Sequence, residues 1–296
     1  MSAASTVSRV GIVAKSHLHA AVPHLVEIGA WLRARGIEPV FESATAELMP
    51  SPDGYRVATK AELVGEVDVV VVLGGDGTML SMADCIAVNG KSIPILGVNF
   101  GSLGFLTEVT LPELYPSLET VLSGKALVEE RMMLASTVRR TRETVTAYVA
   151  LNDVVVTKSA RSRMVDLSVS VGDEFVTRVR GDGLIVATPT GSTAYNLAAG
   201  GPIVQPNVDA LIVTPIAPHT LTNRPLIIRG SSSIRVQPHI DSGDEVFVTF
   251  DGQASFQLEE HDEISISRAG QTLRMIRPST RSYYEVLRQK LKWGER

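Results

Sequence analysis

The residues best suited to chemistry in this sequence are Gly74, Gly75, Asp76, Gly77 and Thr78, which follow the β-branched run VDVVVVL (Val67 to Leu73). A turn needs one glycine, two at most. The surplus points to a large group brought close to bare backbone. Amide N–H groups at a strand end can cradle phosphate, and a helix beginning there adds positive potential. Asp76 is out of place against phosphate, since both are anionic. It suits a hydroxyl that must lose a proton, or a magnesium ion carried on the phosphates. A turn in which Asp76 bonds its own backbone is the plainer alternative. A second glycine loop, VNFGSLGFL, sets Gly101 and Gly104 around Ser102 after another apolar run. Two neighbouring strand ends could share one ligand there, or each could be a simple turn.

The richest polar stretch is RGDGLIVATPTGSTAYNLAAGGPIV, Arg180 to Val204. Its small residues keep the backbone open, while Thr193, Tyr195 and Asn196 can donate and accept. Such a surface suits a sugar or an adenine edge. The alternative makes Thr190, Ser192 and Thr193 helix caps and Tyr195 a core aromatic. Asn152 and Asp153 stand beside the run VVV. An amide next to a carboxylate can hold adjacent hydroxyls of a ribose, or can simply form a turn. Asp182 and Asp251 lie at β-turn sequences and share that ambiguity.

Other chemistries lack their residues. Gly75 and Gly77 open a G-x-G-x-x-G pattern, but Leu80 fills the third glycine position. Gly90, Lys91 and Ser92 end like a P-loop, yet Cys85 replaces its first glycine and the strand–helix order is reversed. No HExxH, His/Cys metal spacing or GxSxG elbow occurs, so no metal ligands are assigned.

These residues need elements to position them. In the first third, apolar runs alternate with helical spacing. RVGIVAK, IEPVFES, VDVVVVL and SIPILGVN predict strands. HAAVPHLVEIGAWLRARG predicts a helix stopped at Gly36, and SMADCIAV predicts another. Continuous apolar strands between helices imply a parallel sheet covered on both faces. After about residue 110 the segments become short, alternating and punctuated by Asp, Gly and Ser, the texture of an antiparallel, β-sandwich-like domain. The tail YYEVLRQKLKW predicts an amphipathic helix that returns to the first domain. The expected division is an α/β domain over 1–110 plus about 278–296, and a β-rich domain over 111–277.

Composition sets the outer bounds. The chain has 296 residues, more than one core usually organises, and is 44% hydrophobic. A net charge of −4 without a basic face argues against a nucleic-acid partner. No run reaches about 18 apolar residues, so no membrane span is expected. The lone Cys85 and the absence of a secretion-signal pattern at MSAASTVSRVGIVAK predict a cytoplasmic setting.

GGDGT, the Asn152–Asp153 pair and DGLIVATPTGSTAYNLAAGGP together resemble the NAD kinase family, in order and spacing, over nearly the whole chain. GGDGT alone is shared with lipid kinases and, in related form, with phosphofructokinases; the Thr/Gly-rich stretch separates them. The resemblance implies an ATP-dependent kinase that phosphorylates the adenosine ribose 2′-hydroxyl of NAD, giving NADP. It also implies a homodimer or homotetramer and a divalent ion, with magnesium arriving on ATP. Carried onto matching positions, it implies that Asp76 is the catalytic base and that Gly77 lies on the nucleotide. Asn152 and Asp153 would bind NAD; many members carry glutamate where this chain has Asp153. Asp182 and the run Thr193, Ala194, Tyr195, Asn196, Leu197 and Ala198 would line the same pocket, with Arg163, Arg180 and Gln253 making further contacts. A secondary hydroxyl is too weak an acid for an ordinary aspartate to deprotonate beforehand. Asp76 would therefore orient it and take the proton late.

Overall fold

The computed structural model describes residues 7–294 apart from 102, 160–163, 221, 241–242 and 279–280. The chain divides into two compact units, Met1–Glu130 with Leu273–Arg296, and Arg131–Thr272.

In the first unit β1 (Arg9–Ala14), β2 (Glu38–Glu42), β3 (Arg56–Ala58), β4 (Val69–Gly74) and β5 (Ile95–Asn99) form a parallel sheet in the order β5–β4–β1–β2–β3. On the outer side of β5, Met275 and Ile276 pair in parallel with Ile95 and Leu96. The connecting helices are α1 (Val22–Arg33), α2 (Ser43–Ala46), α3 (Lys60–Glu66) and α4 (Asp76–Val88). Helical spacing puts Leu25, Ile28 and Leu32 of α1 on one face, all fully buried in a core shared with Ile12, Phe41 and Val71. Gly36, at φ +74°, takes the left-handed turn beyond α1. Phe41 packs edge-on to Tyr55 with ring centroids 5.0 Å apart. Truncating so buried a ring to alanine costs about 3–5 kcal/mol.

The strand order fixes where a ligand can sit. The chain winds outward from β1 through β2 to β3, then crosses back to lay β4 and β5 on the other side of β1. The reversal falls between β1 and β4, and the carboxyl ends of strands at such a reversal open a crevice. GGDGT begins at the end of β4, beside it. β6 (Val109–Thr110) and α5 (Leu114–Leu122) follow, with Leu114, Leu118 and Val121 in the first unit's core. Residues 111–130 thus go with the α/β unit, although the sequence texture changes near 110: the change begins with a helix whose apolar face belongs to the parallel sheet. The C-terminal helix Tyr283–Leu291 also lies in the first unit, opened by a Ser282–Glu285 capping box.

The second unit is antiparallel. One sheet runs β14 (Leu226–Arg229), β13 (Ala210–Ile216), β12 (Gly183–Ala187), β9 (Asp153–Lys158), β16 (Val246–Phe250), β17 (Ala254–Leu258). Opposite it stand β10 (Val165–Val171), β11 (Glu174–Gly181), β15 (Ile234–His239) and residues up to 272 of the strand Glu263–Arg277. The hairpin of β7 (Leu127–Arg140) and β8 (Glu143–Ala150) adds to the same unit from residue 131 on. Val154, Val156, Leu184, Val186 and Val248 meet Leu167, Val169, Val236 and Ile264 in one core. Val155, Ile185 and Ile212 point to the other face, where Val204 covers them. Burial on both faces explains why LIVA and ALIV lack polar alternation.

Candidate active site

At the end of β4 the three glycines differ in what holds them. A Cβ on Gly74 would stand 2.8 Å from Thr78 Oγ1 and 3.2 Å from Lys15 Cβ, so packing excludes a side chain there. Gly75 and Gly77 face open space, with nothing within 4 Å of a Cβ. The protein's own packing therefore does not demand glycine at either position. Gly75 is the N-cap and Asp76 the first residue of α4. The helix begins five residues earlier than SMADCIAV suggested, because the glycine loop itself makes its first turn. Its leading amides have no partner within the helix and carry the positive end of its dipole.

Asp76 does not bond its own turn. Its Oδ1 accepts from the amides of Leu106 and Thr107, each at 3.1 Å, and from Thr107 Oγ1 at 3.0 Å. Its Oδ2 accepts from the Phe105 amide at 2.9 Å. The second glycine loop is thus tied to the first through one carboxylate. Gly104 is required by this arrangement, since a Cβ there would collide with Asp76 Oδ1 and Thr107 Oγ1. Asn99, at the end of β5, donates its side-chain amide to Thr107 Oγ1 at 3.0 Å and holds the loop from below.

In the second unit Asn152 and Asp153 stand at the turn from β8 into β9. Asp153 is 4% exposed, and its carboxylate has no hydrogen-bond partner among the described residues. Burial, and after it the nearby Asp251 carboxylate, push its carboxyl up from 3.8 to about 7. Thr188 and Gly191, from the strand–loop junction ATPTG, pack directly on this turn. The Thr188 amide donates to Asn152 O at 2.8 Å, and a Cβ on Gly191 would collide with the Asn152 backbone. That contact explains the glycine in TPTGS.

The stretch after Gly191 folds back over the sheet. Ser192, fully buried, receives the Val204 amide on its Oγ at 3.0 Å. The short helix α6 (Tyr195–Ala198) follows. Tyr195 is 45% exposed, so it is a presented aromatic and not a core one. Asn196 is fully buried: its amide nitrogen donates to Ser192 O and Pro202 O, and its Oδ1 accepts from Thr214 Oγ1 at 2.6 Å. The side chain braces the loop from inside. Thr193, Ala194 and Leu197 are half-buried and Ala198 is exposed.

The remaining expected contacts scatter. Gln253 is exposed on the turn after β16, close to Asp251. Arg180 and Asp182 precede β12, at the opposite end of that strand from Thr188. The five residues of β12 separate Asp182 from Thr188, six steps or about 20 Å. The Asp182 carboxylate lies 3.5 Å from Lys158 Nζ. Arg163 lies outside the described residues.

Two family models match the chain: the ATP-NAD kinase N-terminal domain over residues 10–126 and the ATP-NAD kinase C-terminal domain over residues 151–278. The chain belongs to the NAD kinase family. It is similar to the NAD kinase of Geotalea daltonii, 44% identical over 290 residues that cover 98% of this chain and all of that one. The NAD kinase of Syntrophotalea carbinolica is 46% identical over the same spans. Among solved structures, yeast NADH kinase complexed with NADH superposes with a TM-score of 0.89 at 26% identity, covering 99% of this chain and 89% of that one. An NAD kinase from Archaeoglobus fulgidus in complex with ATP gives 0.76 at 26% identity, covering 97% and 100%. The chain is accordingly an ATP-dependent kinase that converts NAD to NADP.

Within each unit of this NAD kinase, residues outside the motifs hold the motif residues in place. Phe105, Leu106 and Thr107 supply the donors that hold Asp76, and Thr188 and Asp251 fix the Asn152–Asp153 turn. Backbone amides carry no residue-type signal. Only the Asp251–Gly252 dipeptide, a turn signature after the run VFVTF, hinted at one of them.

Proposed function

We propose that the acceptor is the adenosine ribose 2′-hydroxyl of NAD, and that Asp76 is the base that receives its proton. The observation that carries this is the pair of open glycines flanking Asp76 at the start of α4, room the protein does not use itself. ATP phosphates lie along Gly75–Gly77, neutralised by the leading amides of α4. In the transfer, the 2′ oxygen forms a bond to the γ-phosphorus, the bond from that phosphorus to the bridging oxygen breaks, and ADP leaves. The hydroxyl proton goes to Asp76. Oδ1 already takes three donors, while Oδ2 takes one and keeps a lone pair, so Oδ2 is the accepting atom. Asn152, Asp153, the backbone and small side chains of Thr193–Ala198, and Gln253 hold NAD, with Tyr195 offering its exposed ring to a planar base.

Among the described residues no group of three His, Cys, Asp or Glu could hold a metal ion. The oxygens of Asp76 are largely engaged by the Phe105–Thr107 loop. Magnesium arrives as part of the ATP substrate. A cytoplasmic setting fits a chain with a single thiol and two nucleotide substrates. A homo-oligomer fits the separation of Arg180 and Asp182 from the Asn152 turn, since a second copy can bring them to the same nucleotide.

The test is an assay of the pure protein with ATP and magnesium, offering NAD and NADH separately and measuring the phosphorylated dinucleotide. Asp76→Asn keeps an oxygen for the Oδ1 donors and loses the base. It is expected to bind NAD normally and to turn over about 10² to 10⁴ times more slowly. Turnover within about threefold of the parent would remove the base assignment.

A further inference from the structure

We propose that Asp251 is a positioning residue for NAD binding, one that fixes the backbone of the Leu151–Asp153 turn so that the Asn152 and Asp153 side chains are presented to the dinucleotide. The proposal rests on the reading that those two side chains hold NAD.

The turn leads from β8 into β9, and no β-ladder bond reaches its three amides. Asp251 does so instead. Its Oδ2 accepts from the Leu151 amide at 2.7 Å, and its Oδ1 accepts from the amides of Asn152 at 2.7 Å and Asp153 at 3.0 Å. Three successive amides around one carboxylate form an anion nest built inside the chain. The carbonyls are held as well. Leu151 O accepts from Thr188 Oγ1 at 2.6 Å, Asn152 O from the Thr188 amide at 2.8 Å, and Asp153 O from the Asp251 amide at 3.0 Å. All six backbone polar groups of the turn are committed, four of them to Asp251. Among the described residues, neither the Asn152 amide group nor the Asp153 carboxylate has a hydrogen-bond partner. A rigid turn with two uncommitted polar heads, one of them 4% exposed, is built to receive something.

Asp251 accepts a cost to do this. It stands at φ +52°, in the left-handed region that side chains other than glycine rarely enter. The strain is retained where the surroundings over-determine it, here by its own amide bond to Asp153 O.

The same carboxylate acts on Asp153 through charge. Burial and then Asp251 raise the Asp153 carboxyl to about 7, whereas Ala187, Thr188 and Gly191, which face the turn from β12 and its loop, bring no charge. The ionised form accepts hydrogen bonds from ribose hydroxyls, so NAD affinity falls as pH drops below about 7. Replacing Asp251 by a neutral residue moves that fall to lower pH.

Calorimetric titration of the full-length protein with NAD tests the assignment, alongside the KM for ATP. Asp251→Ala is expected to weaken NAD binding at least about tenfold, the worth of one hydrogen bond to a charged group, with the KM for ATP within about threefold. Asp251→Asn keeps one acceptor oxygen and is expected to lose less affinity, with the midpoint of the pH dependence of binding displaced downward; it is also the variant to use if the alanine protein does not fold. Asn152→Ala separates the layers. If Asn152→Ala weakens NAD binding but both Asp251 variants stay within about threefold, the positioning role is overturned and the NAD site stands. Equal loss toward ATP and NAD in the Asp251 variants overturns it too, as a general structural defect. Unchanged NAD binding in Asn152→Ala overturns both readings together.

Discussion

Asp153 carries the clearest consequence at the scale of a single residue. Its carboxyl is raised from 3.8 to about 7, first by burial and then by Asp251. The folded chain therefore holds a proton there that the unfolded chain releases between those pH values. Stability from this source is full below 3.8 and is lost as pH rises through about 7. Asp153→Asn removes the titrating group while keeping the shape. Its melting temperature is expected to depend less on pH than the parent's, and to exceed it at pH 8 by the equivalent of about 2–4 kcal/mol. Thermal melts at pH 5 and pH 8 measure this, and parallel slopes for the two proteins would contradict it. At this scale the sequence was only partly legible. It picked out Asn152 and Asp153 by type, but not that one is half-buried and the other almost sealed. Nor did the polar character of Asn196 reveal that the fold buries that side chain completely. Residue type says what a group can do, and burial decides what it is free to do.

At the scale of elements, the start of α4 combines two demands that can be pulled apart. Helix stability disfavours glycine, and Gly77 sits in the first turn of a 13-residue helix with open space where a Cβ would go. Gly77→Ala is expected to leave stability unchanged or raise it by up to about 1 kcal/mol. The same methyl group would intrude on a phosphate chain lying along the backbone, and the KM for ATP is expected to rise about tenfold or more, a loss comparable to one strong hydrogen bond. A differential melt and a steady-state titration of ATP check the two halves. If the variant is stabilised and ATP use is unaffected, the open glycines have some other cause. The elements of the first unit were readable because parallel strands buried on both faces leave unbroken β-branched runs, as at Val69 to Leu73. The boundary near 110 was less so, because Leu114, Leu118 and Val121 sit on a helix after the texture has changed while their apolar faces complete the earlier core.

At the scale of the whole molecule, Asp182 and the Asn152 turn lie at opposite ends of β12 and β9, about 20 Å apart along the strand. If neighbouring copies complete one another's sites, an Asp76→Asn protein and an Asp182→Ala protein, each weak alone, should regain activity when unfolded, mixed and refolded together. About a quarter of the sites are expected to be intact if copies pair at random in twos, and turnover should rise accordingly. Mixtures that remain as weak as their components would assign each site to a single chain. The family was legible in the sequence at this scale because its motifs are long and ordered. The spatial grouping of residues within the second unit was not, since chain order places Arg180 and Asp182 beside the Thr193–Ala198 run whereas strand direction carries them away.

The division of the chain also bears on its synthesis. Residues 131–272 are one continuous insertion, while the first unit needs both 1–130 and 273–296. As the polypeptide leaves the ribosome, the inserted unit is complete in sequence before Met275 and Ile276 emerge to pair with Ile95 and Leu96. Until then the outer edge of β5 waits without that neighbour, so the half made first is the half finished last.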